Sequence, residues 1–242
     1  MLNKKKDSSI KNKGYAKKKT FKSIKKIIGI KSRNQSLYLL SVTHSSVSNE
    51  YSNERLEFLG DAILDAVVAD YLFKKFPFKA EGFLTDIRSR IVNRESLNSL
   101  ARKIGLDTLI EYSSSAKKKA TKNTINGNAL EALIGAVYVD KGYKISQKFI
   151  VKRLISPHID IDLIVNTPSN FKSILLEWGQ KNSKPIEFTI GDKDPEDPYV
   201  FSISVLVGGE ISGMAKAKNK KKAQQMAAEE ACKSLNLVKH QD

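Results

Sequence analysis

The sequence is short of several things, and each shortage narrows what it can be. It has one cysteine, Cys232, in 242 residues. That excludes an internal disulfide and a cysteine metal cluster, and it fits a reducing setting, so a cytoplasmic location is expected. No apolar run approaches the roughly 18 residues needed to span a bilayer. The N-terminus lacks the apolar segment of a secretory signal. No membrane partner is expected from these features. Acidic residues are also scarce: 26 Asp+Glu stand against 42 Lys+Arg, giving a net charge of +16 and a pI near 9.7.

The positive charge is not spread evenly. Residues 1–35 carry 13 Lys+Arg and one Asp, residues 36–167 carry 18 and 15, and residues 168–242 carry 11 and 10. The basicity is therefore mostly at the N-terminus. Residues 1–35 read as a disordered arm that seeks polyanions. Two other readings stay open, a solubilising tail and an attraction to an anionic membrane surface.

From about Leu37 apolar residues recur at three- and four-residue spacing, in LYLLSVTHSS, ERLEFLGDAILDAVVADYLFKKF, FLTDIRSRIVNRESLNSLARKIG and NALEALIGAVYVDKG. Breaks are expected at Ser45–Asn53, Pro77–Gly82 and Gly105, and a lysine-rich loop over 113–127. Residues 36–159 thus read as an all-α domain. Residues 160–168, ending in Pro168, read as a linker. After it the period changes. A short helix, three segments alternating with period two, and a last helix with Ala223, Ala227 and Ala231 on one face follow in the order α-β-β-β-α. Gly208–Gly209 marks a hairpin turn. The expected fold is multidomain: an all-α domain, then a small α+β domain over 169–237.

The chemistry concentrates in one stretch, NERLEFLGD at 53–61. Glu54, Glu57 and Asp61 stand at i, i+3 and i+7, within roughly 60° of one helix face. Glu57 and Asp61 are a like-charge i, i+4 pair with no lysine placed to relieve them. One reading is a divalent metal site, since hard cations take carboxylate oxygens. The other is an exposed acidic face. The apolar neighbours Leu56, Phe58, Leu59, Ile63 and Leu64 disfavour the second. In NGNALEALIGA, Asn128 and Glu131 form a second pair at i, i+3, where a lone buried Glu is costly without a partner or ion. Asn128 alternatively reads as a helix N-cap.

These motifs together resemble the ribonuclease III family. NERLEFLGD is similar to its signature, LYLLSVTHSS to its first helix with Thr43, His44 and Ser45, and GNALEALIGAVYVDKG to its second acidic motif. The α-β-β-β-α tail, with NKKKAQQMAAEEA, resembles a double-stranded RNA-binding domain. The resemblance implies an endoribonuclease that cuts duplex RNA to 5′-phosphate and 3′-hydroxyl ends with short 3′ overhangs, in rRNA and mRNA processing. It implies Mg²⁺ as cofactor, with Mn²⁺ as a substitute, and no small-molecule substrate. By that pattern Glu57, Asp61, Asn128 and Glu131 hold the metal, while Glu54 and Glu81 line the catalytic valley with them. Phe58 would enter a pocket of a second subunit, making the unit a homodimer. Ser173, Glu177, Asn219, Lys220, Lys221 and Lys222 match RNA-contacting positions.

The chemistry asks for no side-chain nucleophile and no histidine base, in keeping with three histidines and one cysteine. His44 reads as structural. There are departures from the family pattern. Asn128 stands where an Asp is usual, which predicts retained activity with weaker metal affinity. Leu176 replaces a usual Gln, and the loop GDKDPEDPYVF lacks a usual histidine and is acidic. Two competing readings are a non-catalytic duplex-binding protein with a decayed site and a polyanion scaffold. The second explains neither the acids nor the α-β-β-β-α order.

Overall fold

A computed structural model describes residues 17–48, 51–113, 122–167, 170–191, 197 and 199–238. The chain divides into two compact units, residues 1–161 and 162–242.

The first unit is helical. Its elements are α1 (residues 17–28), α2 (Gln35–Ser41), α3 (Glu54–Lys75), α4 (Glu81–Val92), α5 (Arg94–Lys103), a 3-10 turn (Leu106–Leu109), α6 (Lys122–Lys141) and α7 (Tyr143–Phe149). α7 runs on through a π-helical stretch, Ile150–Ile155, into Ser156–His158. The centre is α6. Ala129, Leu130, Ala132, Leu133, Ile134, Ala136 and Val137 are all fully buried. A helix apolar all round is one that other helices surround. α3 lies directly against it and contributes Leu56, Leu64, Val67, Val68 and Leu72 to the same core.

Three sequence expectations are corrected here. Residues 17–28 of the N-terminal arm are helical, and Ile24 and Ile28 are fully buried against the unit. The lysines masked an apolar stripe that a charge count does not register. Residues 1–16 lie outside the described residues. α6 begins at Lys122, inside the stretch read as a loop, so Asn128 is in the helix interior and is not its N-cap. The segment FLTDIRSRIVNRESLNSLARKIG is two helices. Asn93 adopts extended dihedrals between them, and its side chain caps α5 by accepting from Ser96 N at 2.9 Å.

Helix α8 (Ile161–Asn166) begins at the last residue of the first unit, and the second unit then holds α9 (Phe171–Lys181), β1 (Ile186–Ile190), β2 (Phe201–Val207), β3 (Glu210–Ala217) and α10 (Lys220–Ser234). α8 occupies most of the stretch read as a linker. Its Ile161 is buried. The strands form one antiparallel sheet in the order β1-β2-β3. The β2–β3 turn is Gly208–Gly209, both at positive φ (63° and 91°), as a two-residue hairpin requires. Leu175 of α9 and Ala223, Ala227, Ala228 and Ala231 of α10 pack on Ile203, Val205 and Val207 of the sheet. The α-β-β-β-α expectation is met. A Cβ at Gly213 would strike the backbone of Ala227 and Ala231, so the small residues on both sides set how closely α10 approaches the sheet.

Candidate active site

The acids are gathered by a contact between two helix backbones. A Cβ at Gly60 of α3 would run into the carbonyl of Glu131 on α6. A Cβ at Gly135 of α6 would run into the carbonyl of Leu56 on α3. Glycine at both positions lets the two backbones touch. The acids stand beside these glycines in the sequence, Glu57 three before Gly60 and Glu131 four before Gly135. Close approach therefore forces their carboxyls into one neighbourhood.

Electrostatics register the crowding. Burial pushes the Glu131 carboxyl up to about 7, and the charges of Asp61, Glu57 and Asp65 add to it, against a smaller pull from the Arg94 guanidinium. Glu57 is raised mainly by burial and also by Glu54 and Asp61; a hydrogen bond from the Asn128 amide and the Arg94 charge oppose this. Asp61, more exposed, is raised by burial and by Asp65. Glu54 is exposed at the helix start, with Ser52 Oγ at 3.5 Å from its Oε2. Glu54, Glu57, Asp61, Asn128 and Glu131 thus share one site.

Glu81 does not join them within one chain. It heads α4, accepts from Thr85 Oγ1 at 2.7 Å, and lines a separate cavity of about 470 Å³ with Ala69, Phe73 and Arg88. Ala69 and Phe73 lie 12 to 16 residues beyond Glu57 on α3, or roughly 18–24 Å along the axis. Phe58, next to Glu57, is 81% exposed, an unusual state for a phenylalanine. His44 is in the loop after α2, its Nδ1 accepting from Ser46 N at 3.0 Å.

Two residues of the site escaped the sequence reading. Asp65 continues the acid row at i+4 from Asp61, a periodicity that was there to be read. Arg94 had no such signal. It reaches the acids only because the chain turns at Asn93 and starts α5 beside α6.

The donor set is all oxygen, which suits a hard divalent ion. Among the described residues, no three His, Cys, Asp or Glu side chains are close enough to form a ready-made metal cage. The residues fit an ion that completes its shell with water and substrate phosphate, the usual habit of Mg²⁺.

In the second unit Lys220, Lys221 and Lys222 are exposed in the first turn of α10. The Asn219 side chain accepts from Lys222 N at 3.2 Å and so caps that helix. Ser173 is half-buried, and Glu177 and Leu176 are exposed on α9. Asp197 is 3.9 Å from Lys218; residues 192–196 of the acidic loop lie outside the described residues.

A helical unit with a carboxylate site, followed by an α-β-β-β-α unit with a basic helix end, defines a nuclease joined to a nucleic-acid-binding module. Comparison with known proteins gives the family. A ribonuclease-III-like family model matches residues 34–158, and a double-stranded RNA binding motif matches residues 171–235. Ribonuclease 3 of Bacteroides fragilis is 43% identical over 218 residues, covering 87% of this chain and 74% of that protein. Ribonuclease 3 of Azobacteroides pseudotrichonymphae is 40% identical over 231 residues, 92% of this chain and 87% of that protein. The crystal structure of the ribonuclease III nuclease domain from Campylobacter jejuni matches with a TM-score of 0.53 at 34% identity, covering 57% of this chain and 97% of that one. A second structure of that domain is described as flexible in a region involved in dimer formation. The chain belongs to the ribonuclease III family. It is an endoribonuclease with a C-terminal double-stranded RNA-binding domain.

Proposed function

We propose that this chain is a divalent-metal-dependent enzyme, working as a homodimer with Mg²⁺ or Mn²⁺, that cleaves duplex RNA during rRNA and mRNA processing in the cytoplasm. The supporting observation is the crowding of Glu57, Asp61 and Glu131 around Gly60 and Gly135. It holds half-buried negative charge, with Arg94 the basic side chain acting on it among the described residues. Such a cluster is costly unless a cation completes it.

Bound ions would neutralise the phosphate charge and activate a water for attack on phosphorus. The residues of the chain supply the rest. Glu57 and Glu131 would hold the metal as central ligands with Asp61 beside them, and Glu131 would give up its proton to do so. The water's oxygen bonds to phosphorus and the 3′-oxygen leaves, which yields a 5′-phosphate and a 3′-hydroxyl. Asn128 contributes its amide without charge, and through its hydrogen bond to Glu57 it relieves the acids before an ion arrives.

The dimer explains the two residues that one chain leaves apart. Phe58 is exposed beside the acids, while Glu81 flanks a cavity floored by Ala69 and Phe73. A second copy offering that cavity to Phe58 would bring its own Glu81 to the acid row, and each subunit would then cut one strand of the duplex. In the RNA-binding unit Lys220–Lys222, at the helix N-terminus, would hold phosphates, with Ser173 and Glu177 toward the minor groove.

The test is cleavage of a duplex RNA across a Mg²⁺ titration by wild type and Glu131→Ala. Cutting by wild type alone is expected. A folded dimer that cuts at no Mg²⁺ concentration yet shifts the duplex would establish the non-catalytic reading instead.

A further inference from the structure

Helix α1 has an unexpected form for a lysine-rich terminus: it is docked. Phe21 packs on the buried Tyr38 ring at 6.1 Å between centroids, and Tyr38 in turn donates to Asp140 Oδ2 at 3.0 Å. Ile24 and Ile28 are fully buried. Gly29 ends the helix at φ 65°, with the Arg153 guanidinium packed against its Cα. A cation at that end suits the helix dipole.

Docking fixes where the charges point. Lys17, Lys18, Lys19, Lys22, Lys25 and Lys26 are all exposed. At 100° per residue, Lys18, Lys19, Lys22, Lys25 and Lys26 fall within about 120°, in a sector separate from the stripe of Phe21, Ile24 and Ile28, with Lys25 nearest to it. Lys25 also lies over the Phe21 ring at 5.6 Å. None of the six makes an ion pair among the described residues, so their charge is available to a ligand. The row from Lys17 to Lys26 is roughly 13 Å long. Its Lys17 end shares a cavity with Tyr51, three residues before Glu54.

We propose that α1 is a second duplex-RNA contact, a rigid phosphate-binding ridge built into the nuclease unit itself. The proposal rests on the function proposed above. The ligand is a phosphodiester backbone because the surface offers charge alone, with no groups arranged to read bases. A membrane surface is disfavoured on structural grounds. The apolar side of α1 is already spent on the protein core, and an interfacial helix needs that side free to enter lipid. The second unit has reason to need help, since residues 168–242 carry 11 basic residues against 10 acidic ones.

The experiment measures duplex RNA affinity for the full chain against KCl concentration, in EDTA so that nothing is cut. The variants are Lys18→Ala/Lys22→Ala/Lys25→Ala/Lys26→Ala and the same four positions changed to Arg. Alanine keeps the helix and its buried stripe. The alanine variant is expected to lower the slope of log K against log salt by about two to four, as the loss of that many phosphate contacts would. The arginine variant should restore the slope. An unchanged slope and affinity in a folded alanine variant would overturn the proposal. So would lost binding to vesicles rich in anionic lipid with duplex binding intact. Because no cleavage is read, an inactive wild type in Mg²⁺ would sink the proposed function without altering this slope comparison.

Discussion

Both units depend on a place where a missing Cβ lets two backbones meet, and they use it to opposite ends. In the nuclease unit Gly60 and Gly135 bring α3 onto α6, and the residues beside them are acids. In the RNA-binding unit Gly213 brings β3 onto α10, and the residues beside it are alanines. Close packing concentrates charge in the first case. In the second it only builds core, and the lysines sit outside it at the end of α10. The same packing device serves a reactive site in one unit and a stable platform in the other.

The comparison can be broken most directly at the glycines. Gly60→Ala or Gly135→Ala places a methyl against backbone that cannot move aside as a side chain could, and each should cost more than about 3 kcal/mol. Thermal unfolding should show the nuclease unit lost and cleavage with it. Gly213→Ala should leave melting of the nuclease unit unchanged while duplex binding falls in a gel-shift titration. Equal damage to both units from any one of these changes would contradict the separation.

Next in size is Glu131→Gln. Cleavage should fall by more than about a hundredfold, beyond the range seen when a ligand's supporting residue is lost. The stability effect runs the other way. The Glu131 carboxyl is raised from 4.5 to about 7, so its contribution to stability is fully present below 4.5 and is lost as pH rises through 7. Without divalent ions, the melting temperature of wild type should therefore decline over that window, and Glu131→Gln should flatten the decline. The comparison sharpens further at Asn128. Asn128→Asp should lower the melting temperature of the ion-free protein at neutral pH, because it replaces a donor to Glu57 with a charge. It should also reduce the Mg²⁺ needed for half-maximal cleavage by about tenfold. Unchanged Mg²⁺ dependence would show that the amide does not weaken the site. The smallest effect belongs to Asn219→Ala, about 1 kcal/mol off the RNA-binding unit through the lost cap, seen in its unfolding and not in that of the nuclease unit.

Much of this was legible in the sequence. Periodicity of four and then of two separated the helical unit from the α-β-β-β-α unit, and Gly208–Gly209 marked its hairpin. Glu57, Asp61 and Glu131 stood out because charge without local counter-charge on an apolar helix needs an explanation. What stayed hidden depends on contacts distant along the chain. Arg94 acts on the acids across a tertiary gap that no spacing records. The break at Asn93 was lost because both helices continue one apolar rhythm. Residues 17–28 were misread because six lysines outweigh Phe21, Ile24 and Ile28 in any average, although those three fall on one side of a helix. The separation of Glu81 from Glu54 needs the fold, since only the structure shows Glu81 beside Ala69 and Phe73, well along α3 from the other acids.

The docking of α1 also has a consequence in time. Gly29 abuts Arg153, and Phe21 rests on a tyrosine that is itself tied to Asp140. Part of the seat of α1 is therefore made more than a hundred residues after it, since Arg153 follows Gly29 by 124 residues. At about 5–20 residues per second, the lysine-rich helix waits several seconds or longer before its apolar stripe can be covered. Contacts this remote in sequence form late. Helix α1 should therefore be among the late elements of the nuclease unit to lock.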